Sequence, residues 1–173
     1  MAASAKTRTV VDLVVFHFSW IGIVWGAADR LWSLVAASFV VHMLLHLGLS
    51  PRVGRDAGFA LVAGVAGWIL DSLLGLVGIF RFPGLLAPAW LLLLWLVFSA
   101  TIETGFGWFR TRLALAALLG LVSGPFSYEV GVKLGALQWG VAPWIGWVVL
   151  GIVWAAFLPA LLVARSRWDA RYR

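Results

Sequence analysis

The stretch GWILDSLLGLVGIFRFPG, residues 67–84, places one carboxylate inside a long apolar run with glycines on either side. What Asp71 does there depends on the solvent around the run. Pro83 and Gly84 mark a turn that closes it. Between residues 57 and 80 no other Asp, Glu, Lys or Arg interrupts it. A helix of that length crosses roughly 30 Å of hydrocarbon.

The whole chain reads the same way. Of its 173 residues 63% are hydrophobic and only 12% are charged. A soluble domain of this size has too little interior to hide that much apolar surface. The expected class is therefore an all-α membrane protein. There is no cysteine, which excludes disulfides and thiol chemistry. The net charge of +6 does not point to nucleic acid, because the basic residues flank apolar runs and form no single face.

Six apolar runs predict six transmembrane helices, at about 10–28, 31–49, 57–80, 85–107, 113–137 and 143–164, in a single integral-membrane domain over 1–173. Pro51 marks the turn after the second run. The first run, with its basic start and GAA before Asp29, resembles a signal peptide but is read as a span. With the N-terminus inside, the inner segments hold Lys6, Arg8, Arg52, Arg55, Arg110, Arg112, Arg165, Arg167, Arg171 and Arg173. The outer loops hold only Arg30 and Arg81, and Lys133 falls in the fifth span. That asymmetry predicts a multi-pass protein with both termini in the cytoplasm. Trp25, Trp32, Trp139 and Trp144 fall near the predicted outer interface, and Trp108 and Trp168 near the inner one.

The third span carries Ala60, Gly64, Gly67, Asp71, Gly75 and Gly78 at steps of three or four, and the fifth carries Ala116, Gly120, Gly124, Ser127, Gly131 and Gly135. Small residues at that spacing let helix backbones approach closely in lipid. Spans three and five are therefore expected in the middle of the bundle, packed on each other. Pro125 is expected to kink or loosen span five.

The polar groups at membrane depth fall on two levels. The outer level holds Asp71, Tyr128, Glu129 and Lys133, with Arg81 just above. Glu129 and Lys133 are four apart, acid first, and can neutralise each other. Asp71 has no partner on its own helix, so it should face the bundle interior. It either locks helices together through hydrogen bonds or lines a pocket open to the outer side. The inner level holds Asp12, His17, His42, His46 and Glu103. The metal candidates there are His17, His42, His46 and Glu103, since H-x-x-x-H puts two imidazoles on one helix face. Paired histidines could also hold haem. Two histidines at i and i+4 also arise often by chance, and solvated or hydrogen-bonded histidines are the preferred reading, so no metal or cofactor is assigned. No G-x-S-x-G, phosphate-cradling loop or H-E-x-x-H is present, and no soluble segment is long enough to bind a nucleotide, which argues against an autonomous ATP-driven pump.

Several stretches, FHFSWIGIVWGAA, HLGLSPR, GWILDSLLGLVGIFRFPG, LAPAWLLLLWLVFSATI and GLVSGPFSYEVGVKLGAL, together resemble an uncharacterised, domain-of-unknown-function family of small bacterial inner-membrane proteins. The resemblance covers nearly the whole chain and rests on Trp25, Asp71, Pro83, Pro88, Trp90, Thr101, Gly124, Pro125 and Tyr128. It implies bacterial inner-membrane localisation. Members encoded beside lipid-modifying enzymes, such as relatives of cyclopropane-fatty-acid synthase, imply lipid work. More remotely, G-x-x-x-D-x-L-x-G resembles the third span of the rod-shape protein MreD and of the S-components of energy-coupling-factor transporters. Those proteins also have six spans with both termini inside.

The expected function is binding, or help in transport, of a lipid-like or amphipathic small molecule in an outward-side intramembrane pocket between spans three, four and five. Its expected ligand-binding residues are Asp71, Tyr128, Glu129, Lys133, Trp90 and Thr101. The expected partners are membrane lipids and a membrane-protein partner, with no nucleic acid. Two alternatives stand beside it. One is a membrane-embedded lipid-modifying enzyme, using the inner histidines and Glu103 with a metal, or Asp71 and Glu129 as acid and base. The other is a ligand-free membrane scaffold.

Overall fold

In a computed structural model, residues 5–172 are described, with side chains from residue 7 onward. Arg173 and the side chain of Lys6, both counted on the inner side, lie outside the described residues. Six α-helices follow one another: α1 (Ala5–Ala28), α2 (Trp32–Gly48), α3 (Val53–Leu76), α4 (Ala89–Phe106), α5 (Leu113–Lys133) and α6 (Pro143–Ala170). A short 3-10 turn, Gly107–Thr111, follows α4. Five of these helices are long and apolar enough to cross a membrane, while α2 is a shorter apolar helix. The surface is correspondingly inverted. Phe18, Leu44, Val62, Val122 and Ile152 are more than half exposed, whereas Asp12, Asp56, Asp71, Ser99 and Thr101 are buried. Only an apolar solvent makes that arrangement favourable.

α4 occupies the centre and packs against α1, α2, α3 and α6. α3 lies along α4, and α5 lies along α6. The expected pairing of spans three and five is not formed: no Cα of α5 comes within 8 Å of α3 or of α4. The small residues are used, but against other partners. A Cβ on Gly64 would lie 3.1 Å from the Leu96 backbone, and one on Gly67 would overlap the Trp95 ring. On α5, Gly120 meets the Trp154 carbonyl and Gly124 the Trp154 ring. Each glycine therefore makes room for a bulky residue opposite.

The last glycine of each stripe serves a different purpose. α3 ends at Leu76 and α5 at Lys133, each about four residues before the expected end. Gly78 (φ +83°) and Gly135 (φ +87°) adopt the left-handed conformation that terminates a helix. Behind them, Ile79 N–H donates to Leu74 O (2.9 Å) and Ala136 N–H to Gly131 O (2.9 Å). The two released segments then meet: Arg81 N–H donates to Gln138 O (3.0 Å) and Gly140 N–H to Ile79 O (2.8 Å). Pro125 sits within an unbroken α5, and the Leu121 carbonyl that its missing N–H leaves free faces Gly151 of α6.

The opposite end is tied by charge. Asp56 accepts hydrogen bonds from Arg8 Nη2 (3.1 Å), Arg55 Nε (3.0 Å), Arg165 Nη2 (2.5 Å) and Ser50 Oγ (2.5 Å). Asp169 takes Arg110 Nη2 (3.0 Å) and Arg165 Nε (3.0 Å). Arg8 near the start of α1 and Arg165 near the end of α6 thus meet on one carboxylate.

Gly120→Ala pushes a methyl group into the Trp154 backbone, and overpacking of that kind costs about 1–3 kcal/mol. Gly54→Ala, where nothing lies within 4 Å, should be neutral or slightly stabilising. Thermal unfolding of the two variants in the same detergent compares them directly.

Candidate functional site

Asp71 is fully buried on α3. Trp95 Nε1–H of α4 donates to its Oδ2 (2.7 Å), and the Tyr128 hydroxyl of α5 donates to its Oδ1 (2.6 Å). Both carboxylate oxygens are therefore engaged from two neighbouring helices, which is how a carboxylate is accommodated away from water. Trp95 and Tyr128 in turn belong to an aromatic cluster. Trp95 stacks on Trp154 of α6 (5.2 Å, 9°), and Phe98 meets Trp154 edge-on (5.3 Å, 75°). Phe80, from the segment after α3, stacks on Tyr128 (5.2 Å) and Trp139 (5.1 Å).

Beside this cluster lies a cavity of about 440 Å³. Its walls come from α1, α4 and α5, with Trp154 of α6 behind them. The sequence placed a pocket between spans three, four and five. Instead α1 forms one wall, and α3 contributes only through Asp71, which lies behind Trp95 and Tyr128 and does not line the cavity. The cavity also extends beyond an outward pocket. It runs from the level of Leu13 and Phe106 to that of Val24 and Trp90, a distance of roughly 24 Å along α4.

The expected ligand-binding residues divide accordingly. Trp90 and Tyr128 line the cavity, and Asp71 positions Tyr128. Glu129 lies outside it and accepts from Trp139 Nε1 and Trp147 Nε1 (both 3.1 Å), with Lys133 Nζ 4.0 Å away. Thr101 is buried elsewhere, donating to Val97 O (3.0 Å) with its oxygen 3.4 Å from His42 Nε2. Asp71 and Glu129 bind different partners and form no acid/base pair.

The four metal candidates also separate. His17 is exposed, donates from Nδ1 to Leu13 O of its own helix (2.7 Å) and lines the cavity. Glu103 is held by Arg110 and by Arg165 Nε (3.4 Å). Only His42 and His46 come together, their rings stacked at 6.0 Å, and the third group beside them is Asp12.

A family model described as a protein of unknown function, DUF2878, matches residues 9–160. The chain belongs to the DUF2878 family. The match spans α1 through most of α6, so the Asp71 hydrogen bonds, the cavity and the Asp12–His42–His46 group all lie inside the DUF2878 domain. No curated protein and no solved structure matches the chain, and the likeness to MreD and to S-components is not shown by these comparisons.

Sequence reasoning missed the α1 wall and the roles of Trp95 and Trp154. The available signal was the pairing of small with very large residues: Gly67 and Gly124 each accept an indole. If Asp71 acts through its hydrogen bonds, Tyr128→Phe, which leaves Oδ1 unpaired, costs about 1–3 kcal/mol. Asp71→Asn should cost less, because its amide can accept from Trp95 and donate to the Tyr128 oxygen. Asp71→Leu should cost most, stranding both donors. Unfolding midpoints in that order support the assignment, and equal losses for Asn and Leu would show that the charge itself is required.

Proposed function

We propose that this DUF2878 protein is a six-span bacterial inner-membrane protein, with both termini cytoplasmic, that binds a lipid-like or amphipathic molecule and helps to move or present it. The observation that carries this reading is the cavity. Its volume of about 440 Å³ lies within the range of small-molecule sites, roughly 300–1,000 Å³. Its walls are overwhelmingly apolar and aromatic, with Trp90, Leu94, Phe98 and Trp154 facing few polar groups. The separation of α4 from α5 supports a side entrance for a hydrocarbon chain coming from the bilayer. Ser123, Ser127 and His17 supply polar contacts along the wall. A ligand that arrives sideways needs no extended outer loop as a lid.

The orientation rests on charge. Arg8, Arg55, Arg110 and Arg165 gather at one end of the bundle, and the positive-inside rule puts that end in the cytoplasm. α2, at 17 residues, spans about 26 Å and crosses with slight local thinning of the bilayer. The chain has no native cysteine, so single-cysteine labelling has a clean background. Gly84→Cys should react with a membrane-impermeant maleimide in spheroplasts, and Gly54→Cys only after lysis. The reverse pattern would invert the assignment.

The cavity has its own test. Ser123 is exposed and lines it, so Ser123→Trp fills the space without disturbing buried packing. Protein purified in mild detergent should retain a lipid class enriched over the bulk membrane, identified by mass spectrometry. Ser123→Trp should lose it at least about tenfold, with an unchanged unfolding midpoint. Retained lipid of bulk composition, unaffected by the substitution, would refute the reading.

A further inference from the structure

We propose that Asp12, His42 and His46 form a binding site for a divalent first-row transition-metal ion where α1, α2 and α4 meet. One ligand atom from each residue lies within 4.8 Å of the others. Asp12 is 3% exposed, His42 0% and His46 1%. The group is neither a solvated cluster nor a set of like charges: two imidazoles are ligands that zinc and iron(II) both accept, and the Asp12 carboxylate beside them offsets part of the ion's charge.

Hydrogen bonding within the protein accounts for only part of this group. His46 Nδ1 lies 2.8 Å and 2.9 Å from the Asp12 oxygens, so that nitrogen carries the proton and donates it. The Thr104 hydroxyl also donates to Asp12. The lone pair on His46 Nε2 then has no partner, although the atom is buried. His42 repeats the pattern. Thr101 uses its proton on Val97 O, so its oxygen faces Nε2–H of His42, and Nδ1 is left unpartnered. A His42 ring N–H turned instead to the nearby Val15 carbonyl moves the free lone pair to Nε2, which then faces only the Thr101 oxygen, so either tautomer leaves one imidazole acceptor without a donor. Two adjacent buried imidazoles, each with an unused lone pair, call for a cation, because desolvated acceptors left empty are costly. A carboxylate holding the Nδ1–H of one of them fixes the tautomer and ring orientation suited to ligation.

Access is short. His46 lies two residues before the end of α2 and Thr104 two before the end of α4, so an ion reaches the site from the helix ends without crossing hydrocarbon. His17 and Glu103 take no part, since His17 faces the cavity and Glu103 is held by Arg110 and Arg165.

The test uses the full chain in detergent, stripped with chelator and dialysed against zinc, with bound metal counted by elemental mass spectrometry. Wild type and His17→Ala should each take up one zinc per chain. His42→Ala and His46→Ala should bind at least about tenfold more weakly. Because these buried variants could fail to fold, zinc X-ray absorption on the loaded wild type provides a second reading. A shell containing two imidazoles supports the site. No uptake by wild type, a shell without imidazole, or equal loss in His17→Ala overturns it.

Discussion

In hydrocarbon a polar side chain has no water to turn to, so each one must be satisfied by another part of the same chain. Three buried carboxylates show how far this requirement organises the bundle. Asp71 draws α4 and α5 to α3 through Trp95 and Tyr128. Asp56 draws α1 and α6 to α3 through Arg8 and Arg165. Asp12 draws α2 and α4 to α1 through His46 and Thr104. Every helix takes part in at least one of these three centres. Removing one partner leaves a buried polar or charged group without its hydrogen bond, which is a larger penalty than the loss of an equivalent apolar contact. The polar groups therefore specify which helices meet, while the glycine and indole surfaces set how closely.

The cavity follows from the same constraint. α5 leans on α6 and reaches α3 only through a side chain, the Tyr128 hydroxyl on Asp71. A tyrosine is long, so it can bridge helices whose backbones stay apart. Around that bridge Trp95 and Trp154 stack, Phe98 meets both edge-on, and the three rings hold one another in position. The remaining space between α4 and α5 is lined by groups with little to offer water, so it suits an apolar occupant. Asp71 contributes to that site without touching it, by fixing two of the walls.

The helix layout was legible in the sequence because membrane thickness sets the length of an apolar run. All six runs correspond to helices, with ends displaced by a few residues. The displacements have a cause: Gly78 and Gly135 continue the small-residue stripe in sequence but sit at positive φ, where the helix has already stopped. The packing partners were not legible. A stripe of small residues announces a close approach and leaves open what approaches, and here it is Trp95 and Trp154 in place of a second stripe. The choice between Asp12 and His17 failed for a related reason. They are five residues apart on α1, about 140° around the helix, so only one can face α2. Nothing local to α1 says which, and the answer depends on the Leu13, Phe16 and His17 face being turned to the cavity.

That opposition of faces connects the two centres. On α1, Asp12 points to the α2 histidines while Leu13, Phe16 and His17 line the cavity. On α4, Thr101 and Thr104 face the histidine and Asp12 side, while Phe98, Gly105 and Phe106 face the cavity. α1 and α4 thus form a two-helix partition, with a polar, buried junction on one side and an apolar chamber on the other. The Asp12–His42–His46 junction and the chamber thus share α1 and α4 as their common wall, which is why each of these helices needs two chemically different faces.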